Sequence, residues 1–164
     1  MRWNAGALLP EHQHLLAGWP TSLHVEVGGL GEVLFCHATP RNDNEIFTRL
    51  TAPERLDPIL ATLGVSMVVC GHTHMQFDRT IGAVRVVNAG SVGMPFGATG
   101  AYWLLLGPDR PDVHLRRTAY DLQAAAARIR RTTYPQAEEF ASRSVLEPPS
   151  EDDMLAAFAR AELA

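Results

Sequence analysis

The first forty residues alternate between polar and hydrophobic positions in a way that predicts one helix followed by a β-hairpin. Residues 9–20 predict a short helix, and Pro10 suits its first turn. Residues 22–27 alternate as a strand does, residues 28–31 form a glycine-rich turn, and residues 32–38 return as a strand. Because this second strand is almost wholly apolar, we expect it to be buried on both faces.

A β-α-β unit is predicted next. Residues 51–64 have the features of a helix, with Thr51 in the N-cap position and a glycine as the stop signal. Residues 65–70 are a second apolar strand. Since a strand, a helix and another buried strand follow one another, the strands that end at Cys36 and Cys70 are expected to be parallel.

The rest of the chain predicts further strands and then helices. The predicted segments are a hairpin at 75–81 and 84–90, a glycine-rich loop at 90–100, strands at 101–107 and 112–120 around a turn at 108–111, and helices after Asp121 with Ser150 as the last cap. The pattern therefore predicts an α/β fold. Residues 1–120 are expected to form its core, and residues 121–164 a helical extension packed on the same domain.

Composition narrows the class of protein. A chain of 164 residues with 46% hydrophobic and 20% charged residues is long enough and apolar enough for one domain with a core. The net charge of −4 argues against a nucleic-acid-binding surface. No apolar run reaches membrane-spanning length and no signal-peptide pattern opens the chain, so we expect a cytoplasmic protein without membrane contact.

Three of the seven histidines follow apolar strands. His37 ends the first of the two parallel strands, and His72 and His74 follow the second one after Gly71. Open parallel sheets bind ligands at the carboxyl ends of their strands, and imidazole is the commonest metal ligand near neutral pH. These three residues therefore predict a metal site. The other four are expected on the surface: His12, His14, His24 and His114.

Two other interpretations have to be weighed. A His-x-His pattern alone is typical of a solvated turn, and the buried strand before it favours metal binding instead. Cys36 and Cys70 suggest structural zinc, but neighbouring strand residues point to opposite faces, so Cys36 and His37 do not share an ion. The paired cysteine and histidine spacings of such sites are also missing. Both cysteines are therefore expected to be reduced and buried.

Three segments resemble the last motifs of the calcineurin-like metallophosphoesterases, and most closely those of the compact bacterial phosphodiesterase branch. They are FCHATPRND at 35–43, VVCGHTH at 68–74 and VVNAGSVGMP at 86–95. The resemblance extends from about Leu8 to Tyr120. It implies part of a metallophosphatase-type α/β/β/α sandwich, with mixed β-sheets, flanking helices and the first strands missing, in which residues 1–120 are the C-terminal core.

The resemblance also assigns the histidines to metals. It implies that His37 and His72 bind one divalent ion and that His74 binds another, with manganese, iron, zinc or nickel as the metals. The family pattern opens with Asp-x-His, Gly-Asp and Gly-Asn-His, which supply the carboxylates, and none of the three occurs before His37, where the family's order places them. We therefore expect half of a two-metal site and at most one tightly bound ion. No catalytic residue is assigned.

Other polar residues near these motifs have weaker assignments. Asn88 is expected to hydrogen-bond a histidine N–H. Arg41 either faces a phosphate group with two hydrogen bonds or is solvated. The nearby carboxylates are expected elsewhere, with Asp43 as a loop cap and Asp78 paired with Arg79 or solvent.

The resemblance implies a metal-dependent hydrolase of small phosphoesters, a phosphodiesterase or phosphatase, represented by its C-terminal portion. We expect that the chain is a truncated product, that its start is misplaced, or that its first half has been lost. The alternative is a non-catalytic metal-binding or interaction module descended from the same family. With the first strands missing, a sheet edge is expected to be uncovered and to allow self-association.

Overall fold

A computed structural model describes residues 2–107 and 113–163 of the chain. Its strands are β1 (Ser22–Val27), β2 (Gly31–Cys36), β3 (Met67–Cys70), β4 (Phe77–Ile81), β5 (Val84–Asn88), β6 (Ala101–Leu106) and β7 (Val113–Thr118). Its helices are α1 (Arg2–Ala7), α2 (Pro10–Ala17), α3 (Pro53–Leu60), α4 (Leu122–Arg130), α5 (Ala137–Phe140), a π-helix (Ala141–Leu146) and α6 (Glu151–Ala159). Every strand predicted from the sequence is present, and the predicted turn at 108–111 lies outside the described residues.

Five strands form one mixed sheet in the order β1-β2-β3-β5-β4. The strands β2, β3 and β5 are parallel, and β1 and β4 pair antiparallel with β2 and β5 at the two edges. In this register Phe35 pairs with Val69, and Val69 pairs with Val87. The prediction that β2 and β3 are parallel is confirmed, so their carboxyl ends lie side by side.

Each face of the five-stranded sheet has its own hydrophobic core. On one face α3 covers the sheet, and Leu56 and Ile59 belong to one cluster with Val68. On the opposite face the antiparallel pair of β6 and β7 covers it, and Leu104 belongs to a second cluster with Val69. Neighbouring strand residues thus enter different cores, as strand geometry requires. The predicted α/β fold class is confirmed.

Two local predictions are corrected by the structure. Ala52 occupies the N-cap position of α3, because the Thr51 hydroxyl accepts a hydrogen bond of 2.8 Å from the Thr48 N–H instead of capping the helix. The strand β2 is fully buried only at Val33 and Leu34. Its last two residues, Phe35 and Cys36, are partly exposed, although β1 pairs with β2 along its whole length.

The C-terminal helices form a third small cluster. Ala126 of α4 packs with Ala141 and Val145 of the π-helix. The predicted cap of α6 is confirmed, because the Ser150 hydroxyl accepts a hydrogen bond of 3.1 Å from the Asp153 N–H. The division of the chain at residue 120 stays a prediction. Among the described residues, no helix combines the length and apolar character needed to cross a bilayer.

Residues beyond α6 contact the loop that follows β2. The Leu163 N–H donates to the Ile46 carbonyl at 2.8 Å, and Glu162 forms an isolated parallel bridge with Ile46. Arg55 of α3 donates to the Glu162 carboxylate at 2.8 Å. The C-terminal segment therefore fixes the far side of the loop between β2 and α3.

The edge strand β1 and the helix before it are poorly covered. Leu23 and Val25 of β1 are 54% and 37% exposed, although both are apolar. None of the residues of α2 is buried. An apolar strip thus lies open along this edge of the sheet.

Candidate metal centre

The parallel strands β2 and β3 bring two of the predicted histidines together. His37 follows β2 directly, and Gly71 and His72 follow β3. The His37 carbonyl accepts hydrogen bonds from the backbone N–H groups of Gly71 and His72, each at 3.0 Å. The two strand ends are therefore joined where their side chains leave the sheet.

His37 and His72 contact each other through ring nitrogens. His37 Nε2 and His72 Nδ1 are 3.0 Å apart, and the ring centroids are 4.9 Å apart with an interplanar angle of 64°. With metal–nitrogen distances of about 2.0–2.1 Å, two imidazole nitrogens lie about 3.3 Å apart on a tetrahedral ion and about 2.9 Å apart on neighbouring positions of an octahedral ion. The observed spacing fits two ligands of one divalent ion, and it also fits a direct hydrogen bond between the rings.

The conformation of His74 is fixed by its neighbours. Its φ of 60° lies in the left-handed region, which residues with a side chain rarely adopt. His74 Nδ1 lies 2.8 Å from the Met94 carbonyl oxygen, and the ring stacks on Phe96 with centroids 5.7 Å apart. Because a carbonyl oxygen only accepts, Nδ1 carries the proton and Nε2 keeps its lone pair, as in metal-binding histidines.

Burial lowers the pKa of both His72 and His74. For His72, the positive charges that His37 and His74 would carry lower the pKa further, whereas the Asn44 backbone and the Asp43 carboxylate raise it. For His74, the Met94 carbonyl raises the pKa and His37 lowers it. Both rings are therefore neutral near pH 7, the form in which imidazole binds metals.

The three histidines do not form a complete ligand set. Within residues 2–107 and 113–163, no group of three or more histidine, cysteine, aspartate or glutamate side chains is placed to hold one metal ion. The structure pairs His37 with His72 and sets His74 beside them with its free nitrogen at Nε2. The residues present thus fit part of a metal site, with a matched pair and a third histidine in the right tautomer.

Asn88 supports the histidine loop in a different way from the one expected. It is 1% exposed, and its amide donates to the Thr73 hydroxyl at 3.1 Å rather than contacting a histidine ring. Its Oδ1 accepts the Gly90 N–H at 2.9 Å, and Thr73 in turn donates to the Phe47 carbonyl at 3.1 Å. Because Thr73 stands between His72 and His74, this chain of hydrogen bonds fixes the backbone of both.

Arg41 is fixed by an ion pair with Glu45 that the sequence pattern does not predict. Its guanidinium donates from Nε to both Glu45 oxygens at 2.8 and 3.0 Å, and its Nη2 lies 2.6 Å from Oε1. The available signal was the four-residue spacing of opposite charges, which is weak outside a helix. Arg41 also lines an open cavity of about 250 Å³ together with His37.

Two expectations about carboxylates are corrected. Asp78 pairs with Arg85 through contacts of 2.8 and 2.5 Å, because both lie on the hairpin of β4 and β5, and Arg79 instead donates to backbone carbonyls. The loop cap expected at Asp43 is made by Asn42, whose Oδ1 accepts the backbone N–H two residues later at 2.8 Å. Asp43 lines the cavity beside His37.

One Asp-x-His pattern does occur in the chain, as Asp112-Val113-His114. It follows the three metal-site histidines in the sequence, whereas in the family pattern the Asp-x-His motif comes first. Asp112 lies outside the described residues, and His114 belongs to β7. The expected absence therefore applies to the region before His37 and not to the whole chain.

Both cysteines are free thiols, as predicted. Burial raises the pKa of Cys36 to about 11, and burial also raises the pKa of Cys70, helped by the nearby Cys36. Cys70 is buried, but Cys36 is only partly so, because it lies beside the exposed strand β1. The Cys36 thiol donates to the Ala38 carbonyl at 3.5 Å. Within the described residues, neither cysteine belongs to a group of three or more side chains placed to hold a metal ion.

Comparison with known proteins identifies the architecture. Residues 8–108 match the model of the calcineurin-like phosphoesterase superfamily domain. The fold is similar to that of the hypothetical protein PH1004 from Pyrococcus horikoshii OT3, with a TM-score of 0.70 and 22% identity, over 85% of this chain and 56% of that one. It is also similar to a metallophosphoesterase from Sphaerobacter thermophilus, with a TM-score of 0.67 and 19% identity, over 90% of this chain and 65% of that one.

The chain thus spans less than two thirds of the length of either solved structure. At these identities the likeness concerns the fold. No curated protein matches the sequence.

Proposed function

The chain belongs to the calcineurin-like phosphoesterase superfamily, and we propose that it supplies the histidine half of the metal centre in a hydrolase of small phosphoesters. The observation that supports this most directly is the 3.0 Å separation of His37 Nε2 and His72 Nδ1 at the ends of two parallel strands. A solvated turn would not need this convergence. The distance is compatible with two ligands of a single ion, and the metal-binding assay below distinguishes this from a direct hydrogen bond between the rings.

We assign one ring nitrogen of each histidine as the metal ligand. His37 Nε2 and His72 Nδ1 would hold one divalent ion, and His74 Nε2 would hold the other, with manganese, iron, zinc or nickel as the candidates. Bound divalent ions activate water near neutral pH and neutralise charge on phosphate oxygens. The protein positions these nitrogens through the backbone bonds to the His37 carbonyl and through the Met94 carbonyl.

Two further residues contribute to the proposed site. Asn88 keeps the loop of His72 and His74 in place through Thr73, and it carries no charge of its own into the site. Arg41 would bind phosphoryl oxygens, because it lines the same cavity as His37 and a guanidinium can donate two hydrogen bonds to a phosphoryl group. Neither residue replaces a carboxylate ligand.

We propose that the carboxylate ligands come from outside residues 1–164. The chain alone would then bind at most one divalent ion tightly. Elemental analysis after dialysis against manganese or zinc should show about one ion per chain or less, as expected of a site with three histidines. His72→Ala should abolish this binding, whereas His12→Ala, a surface variant, should retain it. Two ions retained by each chain would contradict the half-site.

Hydrolysis tests the same proposal. With manganese and a chromogenic phosphodiester, the 164-residue chain should show negligible turnover. Catalysis by a group of cooperating residues is largely lost when some of them are missing, and here the carboxylate ligands are missing. A longer polypeptide that adds Asp-x-His, Gly-Asp and Gly-Asn-His motifs upstream should be active, and His72→Ala should abolish that activity. Robust turnover by the shorter chain, lost in His74→Ala, would show that its site is complete.

A second candidate function is a non-catalytic metal-binding or interaction module. The exposed apolar residues Leu23 and Val25 favour it, since they offer a surface to another protein. Such a module would bind one metal ion in the longer polypeptide as well, without turnover. The two assays above therefore separate the candidates.

A further inference from the structure

Arg41 is attached to a carboxylate that is almost inaccessible to solvent. The Glu45 side chain is 8% exposed, and it accepts hydrogen bonds from Arg41 and from the Thr39 hydroxyl. Arg41 itself is 56% exposed. A buried carboxylate with three donors around it is rigid, and it fixes the orientation of a guanidinium that would otherwise sample many rotamers.

Arg41 is one of the residues around a cavity large enough for a small anion. The ion pair uses Nε and Nη2, and Nη1 has no hydrogen-bond partner in the part of the chain that the structure describes. Arg41 lines the cavity of about 250 Å³ whose wall includes His37 and Thr39. The ion pair with Glu45 therefore leaves the Nη1 side of the guanidinium accessible to a ligand.

We infer that this cavity is an oxyanion subsite for a phosphoryl group, in which Arg41 binds the anion and Glu45 and Thr39 are the residues that position Arg41. The identity of the anion rests on the proposed function, whereas the subsite itself needs no metal. The phosphoryl oxygens would accept hydrogen bonds from Nη1 and from the outer N–H of Nη2. Glu45 leaves these donors available because it occupies the opposite, Nε edge of the guanidinium.

Asp43 has the opposite effect on the subsite. Its carboxylate lines the same cavity and accepts a hydrogen bond of 2.8 Å from the Asn44 side chain. A negative charge in the wall repels an incoming anion. Removing the charge at Asp43 should therefore strengthen anion binding, whereas removing the charge at Glu45 should weaken it by releasing Arg41. A purely structural role for these residues predicts neither effect.

The test uses the full chain without metal and inorganic phosphate as the probe. In ¹⁵N-labelled protein, the Nε–Hε signal that disappears in Arg41→Lys should shift in a saturable way as phosphate is added. Arg41→Lys should weaken phosphate binding about tenfold, because lysine lacks the planar fork. Glu45→Gln should weaken it about fivefold, and Asp43→Asn should strengthen it about twofold.

A matched control is available in the same chain. Arg130 and Glu138 form an ion pair with the same Nε and carboxylate contacts, at 2.8 Å, but outside this cavity. Glu138→Gln should therefore leave phosphate binding unchanged. If Glu45→Gln fails to fold, Arg41→Lys and Asp43→Asn, which alter exposed side chains, decide the question.

Equal phosphate affinity in wild type, Arg41→Lys and Asp43→Asn would overturn the inference. So would a shift of the Arg41 signal that never saturates. Metal binding by the histidines is measured without phosphate, and phosphate binding is measured without metal. Either proposal can therefore fail while the other survives.

Discussion

The middle of the five-stranded sheet and its β1 edge differ sharply in what covers them. All four residues of β3 are buried between α3 on one face and the β6–β7 pair on the other. None of the six residues of β1 is buried, and the helices before it leave Leu23 and Val25 open. The same sheet is thus covered on both faces at its centre and exposed to solvent along one edge.

This difference bears directly on the candidate site. His37 and His72 leave the sheet from β2 and β3, next to the best-packed part of the molecule. Their separation is therefore determined by strand register and does not depend on the exposed edge. The β1 edge, in contrast, is available to further protein, whether from a longer polypeptide or from a second copy.

The largest expected effect on stability comes from a charged substitution in the central strand β3, compared with the same substitution in the edge strand β1. Val68 of β3 is 1% exposed and Val25 of β1 is 37% exposed. Val68→Asp should destabilise the fold by more than about 4 kcal/mol, because it buries an unpaired charge. Val25→Asp should cost about 1 kcal/mol or less. Urea unfolding followed by circular dichroism measures both, and equal losses would remove the distinction between the two regions.

A smaller loss of stability is expected when the hydrogen bonds of Asn88 are removed. Asn88→Leu leaves the Gly90 N–H without its partner and should cost about 1–3 kcal/mol. It should also weaken metal binding about tenfold, because Thr73 loses the bond that fixes the histidine loop. Asn4→Leu, on exposed α1, is the control and should change neither quantity. Normal metal affinity in destabilised Asn88→Leu would confine Asn88 to a structural role.

The sequence was sufficient for the elements that repeat a pattern and insufficient for contacts between loops. Apolar runs located the strands, and the β-α-β order gave the parallel pairing that unites His37 and His72. The Met94 carbonyl that orients His74 lies in a loop twenty residues away, and no side-chain pattern marks it. Asn88 ends β5, and no pattern in the sequence indicates that it bonds Thr73 in the loop after β3 rather than a histidine ring.

The exposed edge could not be read from the sequence for a related reason. Leu23 and Val25 alternate with polar residues, as in a strand with one buried face. Their exposure depends on what lies opposite, and the β6–β7 pair covers the inner strands of that face instead. Periodicity therefore identifies an apolar face without showing whether this chain supplies its cover.

The next prediction concerns association through this edge. Sedimentation velocity should show dimers or larger species that increase with protein concentration, because open apolar strands pair with one another. Leu23→Ser combined with Val25→Ser should shift the population to monomer. Leu50→Ser is a matched control, since Leu50 is 70% exposed in a loop away from the edge. A wild-type chain that stays monomeric at all concentrations would show that the edge does not drive self-association.

The smallest expected effect is the pH dependence of the loop after β2. The Arg41 guanidinium holds the pKa of Glu45 below its usual value of 4.5, and the Thr39 hydroxyl acts in the same direction while burial opposes both. Because the folded state takes up this proton less readily than the unfolded state, the stabilisation is complete above about pH 4.5. It is lost as the pH falls through the folded-state pKa.

Comparing wild type with Glu45→Gln isolates that contribution. The stability difference between the two proteins should be constant near neutral pH and should shrink in acid, as followed by urea unfolding at several pH values. A difference that grows in acid would mean that the pKa of Glu45 is raised by its burial instead.

The join between the C-terminal segment and the loop after β2 has a consequence for the order of folding. Arg55 and Glu162 are 107 residues apart in sequence, so their contact closes a long loop at a high entropic cost. Contacts of this kind form late, after the local β2-α3-β3 unit has assembled. The histidine-bearing strand ends should therefore meet early in folding. The Arg41–Glu45 pair is local in sequence and should form with the β2-α3-β3 unit, whereas Ile46 should reach its final position only when the C-terminal residues arrive.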